Sequence, residues 1–343
     1  MLHTAALRLS LVLFLICIET LWGQASSVTA IKCGRFFDGK TLALQENVVV
    51  LVQGGKIGAV GKSLAIPTDA KVIDLSQATV MPGLIDCHTH LGEADGRVFT
   101  ADDLLRSMDA AGIDQSIIIA ERTSGWHSSI EHLSELATRQ SRFKVLADVN
   151  FAALDVAEIN RLVGLLESER VVGLKFYTGY ETYYGNNEKL FPLYEYCQEH
   201  GKPVMFHTGS LERANRGLLK YCHPLTIDEV AHAFPSLRIV IAHMGNPWLL
   251  DCAAVMAKNE HVYADVSAFF DEFRPITPAD IDIFVKRLSD VRLFLGSFEK
   301  FLFGTDWPLY EQDQYLEAMA ALGMAERERD LVLGENARTL FRL

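Results

Sequence analysis

Short apolar runs alternate with longer amphipathic segments along most of the chain, from Gly83 to the last residue. The runs are four to six residues long, as buried strands are, and the segments between them, such as residues 155–167, repeat their apolar positions at helical spacing. Eight strands alternating with helices predict an α/β fold, a (β/α)₈ TIM barrel over residues 83–343. The predicted strands are residues 84–87, 115–120, 144–149, 171–176, 203–206, 238–242, 261–266 and 300–304.

Residues 28–80 follow a different pattern, with short β-branched runs separated by glycine and proline. The run 48–52 is followed by a Gly-Gly-Lys turn and by a second short run at 57–61. This punctuation predicts a small β-sandwich-like domain over residues 26–82. A doubly wound open sheet is the competing fold for the chain, but it calls for a glycine-rich phosphate turn after an early strand, and the sequence has none.

The N-terminal 25 residues read as a targeting segment. Arg8 precedes an apolar run at residues 9–18, and small residues before Ala25 suit a cleavage site. The run is about half the ~20 residues that a spanning helix needs, which disfavours the alternative of an uncleaved anchor. We therefore expect a signal peptide over residues 1–25, a protein exported to the periplasm or the medium, and no stable membrane insertion after cleavage.

Composition narrows the classes of function. Hydrophobic residues make up 49% of the chain and charged residues 22%, so a large core can form. There are 32 Lys and Arg against 44 Asp and Glu, a net charge of −12, which disfavours a nucleic-acid partner. Six cysteines without a Cys-x-x-Cys spacing make neither a disulfide scaffold nor a zinc knuckle.

Polar residues stand where several of the predicted barrel strands end, the edge at which such barrels place their sites. Residues two apart on a strand share a face, so the first strand can direct both His88 and His90 to the barrel axis. A lone histidine is more often a hydrogen-bonded core residue than a ligand. Several polar residues at the mouth, where packing alone would favour Val, Ile or Leu, are harder to explain as core. The others are Lys175, His207, His243 and Asp306.

Three imidazoles and a carboxylate, from His88, His90, His207 and Asp306, predict a divalent-metal site. This donor set suits Zn²⁺ best, with Mn²⁺, Fe²⁺ or Co²⁺ as alternatives.

The segment Val80–His90, read as VMPGLIDCHTH, resembles the first-strand motif of the amidohydrolase superfamily. The stretch from Ile85 to Leu343 is similar to its amidohydrolase 2 branch of metal-dependent TIM-barrel hydrolases, lactonases and decarboxylases. Further matching motifs are GLKFY at 173–177, FHTG at 206–209, AHMG at 242–245, FGTDWP at 303–308 and ENARTLF at 335–341.

The resemblance implies a mechanism in which metal-activated water attacks a carbonyl. Asp306 would be the general base and would return the proton to the leaving group. His243 would hold a second metal or, free of metal, polarise the carbonyl. In two-metal members a lysine at the position of Lys175 is carboxylated and bridges the ions, so the number of metals stays open between one and two.

The N-terminal segment departs from this pattern, because it resembles the β-sandwich of the other amidohydrolase branch without strands after the barrel to complete it. An unpaired sheet edge favours self-association, so a homo-oligomer is a further expectation. In the loops, Tyr177, Tyr180 and Arg213 are candidate substrate-binding residues, with a structured surface loop or a solvated helix face as the alternative.

These observations predict an exported metal-dependent hydrolase that cleaves an amide, ester or lactone bond of a small molecule. The first alternative is a metal-dependent decarboxylase of a small aromatic or unsaturated acid at the same site. The second is a non-catalytic metal-containing binding protein.

Overall fold

The computed structural model describes residues 27–36, 45–80, 83–94, 96–122, 128–212 and 215–343. The predicted signal peptide at 1–25 lies outside these ranges, as does Arg213. The chain divides into two compact units, residues 1–81 and 82–343.

The first unit contains one four-stranded sheet in the order β3-β2-β1-β4. Its strands are β1 Thr29–Phe36, β2 Gln45–Gln53, β3 Lys56–Gly61 and β4 Lys71–Val80. β1 pairs antiparallel with β2 and parallel with β4, and β3 pairs antiparallel with β2. One apolar cluster on this sheet contains Cys33, Phe36, Val48 and Val50. The predicted small β segment before the barrel is thus confirmed.

The second unit is built on an eight-stranded parallel sheet whose neighbours follow chain order. Its strands are β5 Leu84–Thr89, β8 Ile113–Ile119, β9 Phe143–Asp148, β10 Val171–Phe176, β11 Val204–Phe206, β12 Ile239–Ile241, β13 Val262–Asp265 and β14 Phe301–Leu302. A two-stranded ribbon, β6 Gly92–Ala94 with β7 Arg97–Phe99, follows the first barrel strand.

The barrel closes where the segment after β14 meets β5. Phe303 O accepts from Cys87 N at 3.0 Å, and Thr89 forms a parallel bridge with Trp307. The backbone N–H of Asp306 donates to His88 O at 2.8 Å. The predicted TIM barrel is therefore confirmed, and its closing segments are the ones that carry His88 and Asp306.

Helices cover the outside of the barrel. They are α1 Ala101–Ala111, α2 Ile130–Arg139, α3 Val156–Leu166, α4 Phe191–His200, α5 Leu225–Ala233, α6 Leu249–Lys258, α7 Pro278–Leu295, α8 Gln312–Ala320, α9 Glu326–Asp330 and α10 Asn336–Phe341, with a π-helical turn at Leu331–Glu335. Thr100 and Thr277 begin α1 and α7 with capping boxes, and glycines in the left-handed conformation end both helices. Among the described residues, no helix has the length and hydropathy needed to cross a membrane.

Two apolar clusters account for the core of this unit, one between strands and helices and one inside the barrel. The inner cluster includes Ile85, Ile117, Leu146, Met205 and Val240, all fully or almost fully buried. Above it, toward the carboxyl ends of the strands, the inward positions change to His88, Lys175 and Asp265, which are also buried. The fold therefore places polar side chains at one end of an otherwise apolar interior.

Candidate metal centre

His88, His90 and Asp306 meet at the mouth of the barrel. Asp306 Oδ1 lies 3.1 Å from His90 Nε2 and 3.5 Å from His88 Nε2. All three side chains are buried, and one donor atom from each lies close enough to the others to share a cation. Two ligands come from the end of β5 and the third from the segment after β14, so barrel closure assembles the set.

The donor separations fit a small divalent ion. Ligands about 2.0–2.1 Å from a tetrahedral metal lie about 3.3 Å from one another. The two imidazole-to-carboxylate distances of 3.1 and 3.5 Å bracket that value. Two imidazoles and one carboxylate are the donors that Zn²⁺ and similar ions take in catalytic sites.

The carboxylate of Asp306 is suited to stay ionised. Burial alone would raise its pKa, but the neighbouring His88, the hydrogen bond from His90 and the nearby His243 hold the pKa of Asp306 below its usual range. Its backbone has a positive φ of 67°, which is strained for a residue other than glycine. Such strain, maintained by surrounding structure, is characteristic of residues whose position matters for function.

His243 lies next to this cluster, also on a strained backbone with φ 57°. Its Nδ1 is 4.0 Å from Asp306 Oδ2, and its ring centroid is 4.7 Å from that of His88. Burial, with a smaller contribution from His88, lowers the pKa of His243 to about 3, so the ring is neutral at neutral pH. A neutral imidazole beside the cluster can accept a proton or bind a cation.

Asp265, at the end of β13, lies behind His88 and His243. Its Oδ2 is 3.0 Å from His88 Nδ1, and its Oδ1 accepts the backbone N–H of His243 at 3.0 Å. Burial alone would raise the pKa of Asp265, but His88 and its hydrogen bond hold that pKa below its ordinary value. A histidine that donates a hydrogen bond from one ring N–H to a carboxylate presents its other ring nitrogen to a metal, which is how metal-binding imidazoles are usually oriented.

His207 and Lys175 line the same cavity. Two groups of described residues could each share a cation, His88, His90 and Asp306, and His88, His243 and Asp265, and His207 belongs to neither. His207 Nε2 is 3.1 Å from the carbonyl oxygen of Ser210, and its ring centroid is 5.1 Å from that of His243. Lys175 is buried, with Nζ 3.4 Å from His88 Nε2 and 3.7 Å from Met205 Sδ. Burial lowers the pKa of Lys175, which favours the neutral amine. Both residues remain candidate ligands by prediction.

The cluster forms the floor of a cavity of about 610 Å³, a volume that suits a small molecule. Tyr177 and Tyr180 both line it. The Tyr177 hydroxyl donates to Ala120 O at 3.1 Å, and the Tyr180 hydroxyl accepts from Glu212 N at 3.3 Å. The third predicted substrate-binding residue, Arg213, lies outside the described residues.

Acidic side chains dominate the described lining of this cavity. The acids are Glu121, Glu212, Asp271, Glu272, Asp280 and Asp306, whereas the described bases are Lys175 and Arg274. Arg274 donates to both Asp271 and Asp280 at 2.9–3.1 Å, so its charge is already matched. Burial, followed by Glu121 and Glu272, raises the pKa of Glu212. The described lining above the metal-binding floor therefore has more acidic than basic side chains.

Asp265, Ser267 and Glu121 are not among the site residues predicted from the sequence. Asp265 ends the seventh barrel strand, Ser267 follows it by two residues, and Glu121 comes just after the second strand, with Oε2 3.4 Å from His90 Nδ1. The signal that could have found them is the same strand-end position that marked His207 and Asp306.

Comparison with known proteins matches residues 85–343 to a family described as Amidohydrolase. A dihydroorotase of Geotalea daltonii is 41% identical over 81 residues, which cover 24% of this chain and 19% of that protein. The chain spans well under half the length of the curated relatives it matches.

Two solved structures share the barrel. A probable 2-pyrone-4,6-dicarboxylic acid hydrolase of Acinetobacter baumannii superposes with a TM-score of 0.59 at 17% identity, covering 76% of this chain and 100% of that one. A 2,6-dihydroxybenzoate decarboxylase from Rhizobium gives 0.57 at 19% identity, covering 76% and 98%. At this identity both similarities concern the fold.

Proposed function

We propose, from the premise that this chain belongs to the amidohydrolase family of metal-dependent enzymes, that it is an exported hydrolase acting on a small molecule. The bond cleaved is an amide, ester or lactone. The observation that supports this most directly is the carboxylate of Asp306, which lies between two imidazole nitrogens at the floor of a cavity of about 610 Å³. Export rests on the sequence of residues 1–25.

We further propose that the resident cation is Zn²⁺, with Mn²⁺, Fe²⁺ or Co²⁺ as alternatives, held by His88, His90 and Asp306. Such an ion supplies Lewis-acid polarisation of a carbonyl and lowers the pKa of water to about 7. His207 is the fourth protein ligand in this proposal. Its Nε2 contacts Ser210 O, so Nδ1 is the ring nitrogen left to bind the ion.

Asp306 has two oxygens in different surroundings. Oδ1 lies against the two imidazoles, and Oδ2 lies on the side of His243, 4.0 Å from its Nδ1. Oδ2 is therefore the atom placed to take a proton from the attacking water and to return it to the leaving group. The low pKa of Asp306 keeps this oxygen ionised at neutral pH.

The charge of the cavity favours hydrolysis over the alternative decarboxylase. Apart from the proposed metal ion, a substrate carboxylate is bound best by a basic side chain that has no acidic partner. Among the described lining residues, Arg274 is matched by two aspartates and Lys175 lies beside His88 on the floor. An electronegative wall suits a neutral or cationic substrate better, so the substrate class proposed is an uncharged or amine-bearing amide, ester or lactone.

Metal content is the first test. The protein lacking its predicted signal peptide, residues 1–25, is purified without added metal. Plasma mass spectrometry then gives the number of metal ions per chain. About one ion supports the single site described above, and about two supports a carboxylated Lys175 bridge with His243 as a ligand. No bound metal, even after reconstitution with zinc, would contradict the proposal and favour a binding protein.

The reaction type is tested with ¹⁸O-water and two panels of compounds. One panel contains N-acyl amines, esters and lactones, and the other contains hydroxybenzoates. Incorporation of ¹⁸O into a carboxylic acid product supports hydrolysis. Release of CO₂ from a hydroxybenzoate, with no turnover of the first panel, would contradict it and support the decarboxylase.

A further inference from the structure

Asp265 and Ser267 form a hydrogen-bonded pair behind two histidines of the site. We propose that this pair fixes the tautomers of His88 and His243, so that both rings carry their proton on Nδ1 and present an unprotonated Nε2. Asp265 and Ser267 are then positioning residues. How this pair affects turnover depends on the proposed function, but the assignment of the two protons does not.

Asp265 is fully buried, and four contacts surround its carboxylate. Oδ1 accepts the backbone N–H groups of His243 at 3.0 Å and of Ser267 at 3.1 Å, and it also contacts the Ser267 hydroxyl. Oδ2 lies 3.0 Å from His88 Nδ1. Because Oδ2 is an acceptor, His88 Nδ1 must carry the proton of that bond, which leaves His88 Nε2 unprotonated and facing Asp306.

The proton of Ser267 decides the tautomer of His243. Ser267 Oγ lies beside Asp265 Oδ1 and 2.8 Å from His243 Nδ1, and its hydroxyl has one proton to donate. If that proton went to His243, two oxygens would face each other in a buried site with no proton between them, which is costly. If it goes to Asp265, Ser267 Oγ accepts from His243 Nδ1–H, and each contact has one donor and one acceptor.

This assignment limits what His243 can do. With Nδ1 protonated and the ring neutral, Nε2 has a lone pair and no hydrogen. No described residue forms a hydrogen bond with that nitrogen, and His243 lines the cavity. His243 can therefore take a proton or bind a cation through Nε2, but it cannot donate a hydrogen bond to a substrate carbonyl until it has been protonated.

Nuclear magnetic resonance tests the assignment without a substrate. The full chain labelled with ¹⁵N, measured before and after zinc is added, gives two-bond ¹H–¹⁵N correlations that distinguish the two neutral imidazole tautomers. His243→Gln and His88→Gln variants identify the two sets of signals. We expect both residues to show a protonated Nδ1 in the wild type.

The variants are Ser267→Ala, Ser267→Thr and Asp265→Asn. Ser267→Ala removes the acceptor of the His243 proton, so the Nε2-protonated form should appear, and Ser267→Thr should restore the wild-type pattern. In Asp265→Asn, an N–H₂ group replaces one of the two acceptor oxygens. It then faces either His88 Nδ1–H or two backbone N–H groups, and in both cases a donor meets a donor and a hydrogen bond is lost. This substitution should weaken zinc binding about 10–100-fold. Ser289→Ala, on the exposed face of α7, is the matched control and should leave the tautomers and zinc affinity unchanged.

Two results would overturn the proposal. One is an Nε2-protonated His243 or His88 in the wild-type protein. The other is a Ser267→Ala variant identical to wild type in both tautomers and zinc affinity. Far-ultraviolet circular dichroism checks the folding of each variant. If Asp265→Asn does not fold, the Ser267→Ala and Ser267→Thr variants still test the proposed tautomer of His243. If the tautomers agree and no compound is hydrolysed, the proposed function fails and this assignment stands.

Discussion

At the scale of single residues, two buried aspartates beside His88 do different work because their partners differ. The carboxylate of Asp265 accepts hydrogen bonds from backbone and imidazole N–H groups and contacts a serine hydroxyl. With its oxygens already occupied, its role is to orient these neighbours. Asp306 lines the cavity, with one oxygen against two imidazoles and the other 4.0 Å from His243 Nδ1. Only the second is placed to exchange a proton with a bound molecule.

Asp306→Asn is expected to lower kcat by about 10²–10⁴-fold, the usual contribution of a general base. The amide keeps the size of the side chain but cannot take the proton. Asp282→Asn, an exposed change on α7, is the control and should keep wild-type kcat. Steady-state kinetics and a thermal melt measure both variants, and unchanged turnover in a folded Asp306→Asn protein would refute the assigned role.

Asp330 gives a prediction about stability and pH away from the site. Neither of its oxygens has a hydrogen-bond partner among the described residues, and burial raises its pKa to about 6. The unfolded chain releases this proton near pH 3.9, so between pH 4 and 6 the folded state holds more protons. The free energy of unfolding should therefore fall as pH rises through this window.

Asp330→Asn removes that titration and should raise the free energy of unfolding at pH 7 by on the order of 2 kcal/mol. At pH 4 the gain should be much smaller. Urea unfolding at the two pH values measures the difference. An equal effect at both values would show that Asp330 does not titrate in the folded protein.

The sequence placed His88, His90, His207 and Asp306 in one metal site, because all four follow apolar runs and carry side chains typical of metal sites. It could not identify Asp265 in the same way. An aspartate at the end of a strand is common, and its role comes from a neighbour 177 positions earlier in the chain. Contacts of that separation depend on strand order and register, which one sequence does not reveal.

At the scale of elements, the eight barrel strands were predicted to within a few residues, because apolar runs bounded by polar segments have few alternatives. Two differences have physical causes. β5 extends to Thr89 rather than ending at 87, because its last residues pair with the closing segment. β11 begins at Val204 rather than at Pro203, since proline has no N–H to donate. The ribbon β6–β7 was not predicted, because three-residue strands are too short to show a pattern.

Gly173 on β10 shows how closely the barrel strands approach. A Cβ atom there would lie 2.3 Å from Pro203 O, on the neighbouring strand segment. Gly173→Ala should therefore destabilise the protein by about 1–3 kcal/mol, as overpacking does. Gly164→Ala in α3 is the matched control: its Cβ meets nothing within 4 Å, and helix propensity predicts a gain of up to about 1 kcal/mol. Urea denaturation compares the two, and opposite signs are expected.

At the scale of the whole molecule, metal ligands from the first barrel strand and from the segment after the last one link metal binding to folding. An ion that binds only the folded state adds about 4 kcal/mol when its free concentration is a thousandfold above its dissociation constant. Chelation should therefore lower the melting temperature by several degrees, and zinc should restore it. His90→Gln should abolish this response, whereas the exposed His200→Gln in α4 should keep it. A melting temperature that is insensitive to chelator in the wild type would contradict the site.

The N-terminal sheet adds a proposal about assembly. Within the described residues, β3 and β4 are its edge strands, and Val72, Ile73 and Leu75 on β4 are 37–47% exposed. An exposed apolar edge supports self-association, which we propose as a homo-oligomer. Sedimentation velocity of the full chain and of a Val72→Lys variant tests it. A monomeric wild type would contradict it.

The seam between β5 and the segment after β14 has a consequence for biosynthesis. A ribosome has made more than four fifths of the chain before Asp306 emerges. Until then, His88 is present in the nascent chain without the carboxylate that completes the ligand set. A nascent or truncated polypeptide lacks the complete ligand set, so the ion proposed here joins only chains whose first and last strands have met. In any preparation, the molecules that hold metal are then ones whose barrels have closed.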